Sequence, residues 1–370
     1  RLRLSEVDGI DIRLKPGNGF RWDQYIELEI KRAFLLTTRK HEGYADLDEA
    51  AEIINRLRQE QAGGEKTLEQ ISDPNEKQMA AVRTLALYNC AKAIELANDL
   101  VRGTMHIDKR RISAQGLKDD IDRFIFNARE VVSGIDPLFR QEIGRLGQAC
   151  HNLIDASIFS LIRTPGIGKL LQDLSSRNNE KPILEFWYAQ RQAIIQDLLN
   201  PAKTAIVISL PTSSGKTLLA EMAISQAFKD NPDGHIVYLA PTRALVTQIC
   251  LTLKKDLQGM TVRVATPAFE LNPVESNILK GDFNVLVTTP EKLDLLLRRD
   301  HESVRNLSHV IVDEAHNIAD EERGAKLEML LATLRRERDC RYLLMTPFAR
   351  NANDLAFWLG QDQGAKIVLD

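Results

Sequence analysis

The chain has 370 residues, 44% of them hydrophobic and 27% charged, with a formal net charge of −3 at pH 7. That length holds two domains of ordinary size or three small ones, and the composition is that of a soluble globular protein rather than a disordered or fibrous one. The mildly acidic balance excludes capture of a polyanion by bulk charge, so any nucleic-acid contact has to come from local groups.

No apolar run approaches the ~18 residues that a membrane span needs, and no signal peptide opens the chain. Arg1 stands where Met is expected and the end, around 365–369, reads as a strand, so the sequence is expected to be a piece of something longer. Cys90, Cys150, Cys250 and Cys340 lie far apart without a CxxC pair. Free buried thiols in a reducing, cytoplasmic compartment are the expectation, not a zinc site or a disulfide framework.

In chain order, residues 1–182 carry helix signals almost throughout. Asp46 is placed to cap a helix through Ala50, Ile53, Ile54 and Leu57, which Gly63-Gly64 should stop. From Glu76 onward Val82, Ala86, Cys90, Ala93, Ala97 and Leu100 recur three and four apart, one face of a long helix that Gly103 closes. Segments 115–131 and 138–162 read the same way, with Gly134 and Pro137 between them. Thr164-Pro-Gly-Ile-Gly-Lys169 has glycines and a lysine, but no strand leads into it and Leu170 replaces a hydroxyl. It reads as an interhelix turn, with a helix-hairpin-helix element on a DNA backbone as the alternative.

From residue 183 the texture changes. Short β-rich runs at 205–210, 235–240, 262–265, 284–288, 309–312, 341–345 and 366–369 alternate with amphipathic helices, such as the one carrying Leu327, Leu330, Leu331 and Leu334. Alternation at these lengths predicts an α/β domain over 183–370, a parallel sheet with helices on both faces, preceded by an all-α domain over 1–182. The chemistry of such a sheet belongs at the carboxyl ends of its strands.

The first of those strands runs into Pro211-Thr-Ser-Ser-Gly-Lys-Thr217 and then a helix, the setting of a phosphate-binding loop. Gly215 allows close approach of backbone to phosphate, and the helix N-terminus offers unpaired N–H groups. Lys216 is suited to the β- and γ-phosphates of ATP, and the Thr217 hydroxyl to Mg²⁺, with Thr212, Ser213 and Ser214 completing the loop. Leu210 stands where the usual pattern has its first glycine. The strand at 309–312 ends in Asp313-Glu-Ala-His316, and two adjacent carboxylates repel unless a cation offsets them. With Mg²⁺ present, Asp313 can hold the metal while Glu314 orients and deprotonates water.

Together these motifs resemble the DEAH-type superfamily 2 helicases, over about residues 184–370. Ala240-Pro-Thr-Arg-Ala-Leu245 resembles motif Ia, Thr288-Thr-Pro-Glu-Lys-Leu-Asp294 resembles motif Ib, and Gln190 with its neighbours resembles the glutamine motif. Arg323-Gly324 with Leu327, Glu328, Leu330 and Leu331 is similar to the Ski-like branch, which includes archaeal repair helicases. The resemblance implies a first RecA-like lobe. In it Gln190 reads adenine, Lys216, Asp313, Glu314 and His316 serve hydrolysis, and Thr242, Arg243 and Thr289 hold the backbone of a nucleic-acid strand, with Glu291 bracing its loop. Thr346-Pro347-Phe348 stands where the family has Ser-Ala-Thr, leaving Thr346 as the expected coupling residue and altering the coupling of hydrolysis to strand movement.

The resemblance also implies a second lobe, which this chain ends before, so a fragment of this extent is expected to hydrolyse ATP weakly. An ATP-dependent translocase or helicase on single-stranded or partly duplex nucleic acid is the main reading. DNA is favoured because 217–222 resembles the repair-helicase side. The helical half is expected to regulate or to dock a protein partner. Two alternatives stand beside this: an interaction module with a degenerate ATPase lobe, and the motor of a nuclease-coupled defence complex similar to those of the Hachiman type.

Overall fold

The structure, a computed structural model, describes residues 21–103, 114–161, 167–176, 182–211, 214–265, 279, 283–320, 324–347 and 351–368. It divides into two compact units, one with the described residues of Arg1–Ser160 and Asn178–Glu185, the other with those of Leu161–Arg177 and Phe186–Asp370. The units therefore interleave in sequence. A short helix within 161–177 goes with the α/β unit, and the return segment up to Glu185 goes with the helical one.

Five helices build the helical unit: α1 (Trp22–Arg39), α2 (Tyr44–Glu69), α3 (Pro74–Arg102), α4 (Ala114–Val131) and α5 (Pro137–Ala156). Asp73 caps α3 by accepting from the Asn75 amide, Pro74 opens it, and Gly103 ends it in the left-handed conformation. Asp136 and Pro137 start α5 in the same manner. Ile26, Ile30, Leu47, Ile53, Leu87, Ile94, Ile121, Ile143 and Ile154 close a single core.

Three helix-end expectations need correction. Helix α2 passes through Gly63 and Gly64, because a Cβ on Gly64 would lie 2.0 Å from the Trp22 ring; that glycine serves helix contact, not termination. Asp46 lies inside the first turn, where its carboxylate accepts from the Glu42 amide at 3.2 Å, and Gly43 at φ +64 precedes the helix. Helix α5 also ends earlier than expected, at Ala156, since Ser157 turns away to bridge Glu185 in antiparallel fashion.

The α/β unit is a seven-stranded sheet: β1 (Ala205–Ser209), β2 (His235–Leu239), β3 (Val262–Val264), β4 (Val285–Thr288), β5 (Leu307–Val312), β6 (Arg341–Thr346) and β7 (Gly364–Val368). Every pairing is parallel and the order is β3-β4-β2-β5-β6-β1-β7. The helices are α6 (Gly168–Ser175), α7 (Tyr188–Ala193), α8 (Lys216–Asp230), α9 (Arg243–Asp256), α10 (Pro290–Arg298), α11 (Gly324–Glu337) and α12 (Ala352–Gly360). All five residues of β1 are buried, as a central strand covered on both faces requires. Gly168 and Lys169 of the glycine-containing turn open α6 after Ile167; residues 162–166 lie outside those described.

All four cysteines are buried free thiols, and burial pushes Cys90, Cys150 and Cys340 up to about 12, which leaves them unreactive. Among the described residues no helix is long and apolar enough to cross a membrane.

Candidate functional site: a phosphate loop facing two carboxylates

Sheet order does the work of assembly. Strand β6 separates β1, which leads into the phosphate loop, from β5, which leads into the carboxylates, and β2 and β4 continue the row on the far side. Because all strands run the same way, the loops after β1, β5, β2 and β4 share one edge. Thr346 ends β6 between the two halves of the site, 1% exposed, and its carbonyl accepts from the Leu210 amide at 2.9 Å.

In the phosphate loop, the Ser214 hydroxyl donates to the Pro211 carbonyl at 2.7 Å and tightens the turn. Gly215 follows at φ 75, ψ 36 as the N-cap of α8. No side chain caps α8, so the amides of its first turn point out of the helix with the positive end of its dipole. Lys216 is the first residue of α8, and its Nζ is buried without a hydrogen-bond partner among the described residues. A buried ammonium in that condition is costly, and an anion between it and the helix end removes the cost. Thr217 is next on the helix; Thr212 and Ser213 lie outside the described residues.

Gln190, 5% exposed, closes the loop from the side. Its Oε1 accepts from the Trp187 amide at 2.9 Å, and its Nε2 donates to the Gly215 carbonyl at 3.3 Å. A second N–H and a second oxygen lone pair remain for a ligand.

Across the site, Asp313 leaves β5 with both carboxylate oxygens engaged: Oδ1 accepts from the Glu314 amide at 2.9 Å and Oδ2 from the Tyr238 hydroxyl at 3.0 Å. Burial raises the Asp313 carboxyl above the usual range, and the Glu314 charge adds to this, while the Tyr238 and Glu314 donors and the Lys216 charge work against it. Glu314 sits at φ 50, ψ 46, the left-handed region that non-glycine residues avoid, and such local strain collects at functional turns. Its Oε2 lies 3.2 Å from His316 Nδ1.

Tyr238 was not legible as a site residue. It is an aromatic inside the apolar run of β2, fully buried, and a sequence alone reads such a residue as core.

At the neighbouring loops, Thr242 and Arg243 are exposed at the start of α9, where Thr242 accepts from the Leu245 amide at 3.3 Å. Thr289 is 4% exposed and caps α10, accepting from the Lys292 amide at 3.4 Å. Glu291 stands on α10, and with Pro241, Pro290, Asp313, Glu314 and Asn317 it lines a shallow recess between these loops and the carboxylates. Pro347 follows Thr346, and Phe348 lies outside the described residues.

The residues fit Mg²⁺ shared with a phosphate ligand. Among the described residues no group of three or more His, Cys, Asp or Glu side chains could hold a metal alone. Thr217 and Asp313 offer hard oxygen donors, and Mg²⁺ is ordinarily held by one or two such groups together with substrate phosphates.

Residues 188–354 match the family described as DEAD/DEAH box helicase. The chain is 30% identical over 192 residues to Hachiman protein HamB of Bacillus cereus, covering 50% of this chain and 17% of that protein. It is 31% identical over 196 residues to ATP-dependent DNA helicase Hel308 of Methanococcus vannielii, covering 52% and 25%. It is 34% identical over 164 residues to the human U5 small nuclear ribonucleoprotein 200 kDa helicase, covering 42% and 8%. The chain thus spans a quarter or less of each of these relatives.

Proposed function

We propose, from the premise that residues 188–354 form a DEAD/DEAH box helicase domain of the Ski-like kind, that this chain carries the ATP-hydrolysing half of a nucleic-acid translocase or helicase. The observation that carries the reading is the Lys216 ammonium, buried at the start of α8 without a hydrogen-bond partner among the described residues.

In this reading the phosphates of ATP lie along the phosphate loop, held by the first amides of α8 and by Lys216. Gln190 presents its remaining amide donor and acceptor capacity to adenine. Thr217 and Asp313 hold Mg²⁺, which when bound offsets the charge on the phosphate oxygens. Glu314 takes the proton of the attacking water, and His316 orients it through their close pair. Thr242, Arg243 and Thr289 contact the sugar-phosphate backbone of one strand, Thr289 from its place as the cap of α10. Thr346, at the end of β6, couples the two sides.

DNA is the favoured strand, supported by likeness to a relative whose name specifies a DNA helicase. The charge stabilisation a second lobe contributes lies elsewhere in such motors, so residues 1–370 alone should turn ATP over slowly. The helical unit is proposed to regulate or to dock a protein partner, and the buried free thiols suit a reducing, cytoplasmic setting.

The test is ATP turnover by the full-length protein with single-stranded DNA, single-stranded RNA and duplex DNA, beside Lys216→Ala and Glu314→Gln. Strand-stimulated turnover that both substitutions abolish is expected. Turnover absent from the full-length protein under all three conditions favours the alternative, a degenerate lobe acting as an interaction module.

A further inference from the structure

We propose that Tyr238 is a positioning residue for Asp313, and through it for the metal half of the nucleotide site. The inference rests on the ATP-site reading above and extends it to a residue in the body of the sheet.

The geometry is specific. Asp313 follows β5, and Tyr238 lies one residue before the end of the adjacent strand β2, where its backbone pairs with Ile311 and Leu239 pairs with Val312. Parallel register thus sets the Tyr238 side chain two residues back from Asp313 on the neighbouring strand. Its hydroxyl donates to Oδ2 at 3.0 Å, and the Glu314 amide donates to Oδ1 at 2.9 Å. One donor per oxygen fixes the rotation of the carboxylate about its Cβ–Cγ bond, and each oxygen keeps a lone pair for a cation.

Tyr238 is wholly buried, so water cannot take the place of its hydroxyl. A phenylalanine fills a buried slot of that shape equally well. The hydroxyl therefore serves the carboxylate rather than packing: a buried hydroxyl needs an acceptor, and among the described residues it donates to Asp313. Partners that orient a metal ligand from outside contribute to metal affinity without touching the metal.

Isothermal titration of ADP into the full-length protein, in EDTA and across a MgCl₂ series, separates this role from general stability. In Tyr238→Phe, ADP affinity in EDTA should stay at the wild-type value, while the Mg²⁺ concentration for half-maximal tightening of ADP rises about tenfold. An unchanged Mg²⁺ midpoint overturns the proposal. If Tyr238→Phe also weakens ADP in EDTA, the decision passes to the Asp313→Asn background. There the added Tyr238→Phe change should shift the midpoint no further, and a shift as large as in wild type overturns positioning. Failure of Asp313→Asn itself to move the Mg²⁺ midpoint would count against the underlying ATP-site reading, not against the role of Tyr238 alone.

Discussion

The Gln190 side-chain amide donates to the Gly215 carbonyl at 3.3 Å, and so ties the segment before β1 to the turn that presents phosphate ligands. A Cβ on Gly215 would lie 2.2 Å from Gln190 Nε2, at a backbone φ of +75. Gly215→Ala should therefore cost about 2 kcal/mol, from left-handed strain and displacement of Gln190. In a Gln190→Ala background the same change should cost less, because only the strain remains. Equal costs in the two backgrounds, read from urea unfolding, would show that Gln190 does not brace the turn.

Lys216→Met is expected to separate binding from stability. The ammonium is buried without a hydrogen-bond partner among the described residues, so its removal should leave the melting temperature unchanged or raise it by the equivalent of about 1 kcal/mol. The thermal shift that ATP produces in the wild type should vanish. A variant that melts well below the wild type without ligand contradicts this account of the lysine.

The adjacent glycines of α2 should respond in opposite directions. At Gly64 a Cβ meets the Trp22 ring at 2.0 Å, so Gly64→Ala should destabilise by about 2 kcal/mol. Nothing lies within 4 Å of a Cβ at Gly63, so Gly63→Ala should stabilise by about 0.5–1 kcal/mol through helix propensity. Chemical denaturation of the two variants decides it.

His309, on β5, supplies a pH-dependent contribution. Burial, reinforced by the Arg341 charge, lowers its imidazole from 6.5 to about 4. The unfolded chain takes up a proton near 6.5 and the folded chain does not until about 4, so stability falls as pH drops through that window. The loss should amount to about 3 kcal/mol, and His309→Gln should flatten the slope between those values. A wild-type slope retained by the variant assigns the effect to other groups.

Much of this fold could be read from residue pattern, and the reasons differ by element. Each of the seven strands begins within two residues of its β-rich run; inner strands such as β1 and β4, buried along their whole length, leave an unmistakable apolar stretch, while the edge strands β3 and β7 show it more weakly. Helix ends were less legible: Gly64 resembles a stop signal, and only the ring of Trp22, distant in sequence, explains it. The interleaving of the two units was likewise beyond a reading by texture, since α6 and the return segment around Leu184 both look like connectors. In the site, Lys216 and Asp313 stood out because charged groups follow apolar strand runs, while Gln190 was picked out only by its resemblance to a family motif. Tyr238 did not stand out, since its hydroxyl acquires meaning only from the neighbouring strand.

Strand order also governs when the nucleotide site can exist at all. Ser209, just ahead of the phosphate loop, pairs with Thr346 on one side and Val368 on the other. Both neighbours of β1 are therefore synthesised long after it. A nascent chain that has released β1 to β5 still holds a strand that is apolar up to Ser209, with both edges unpaired, the kind of surface chaperones cover and other chains capture. These late, long-range pairings should make completion of the sheet slow, and the phosphate loop gains its foundation among the last events of folding.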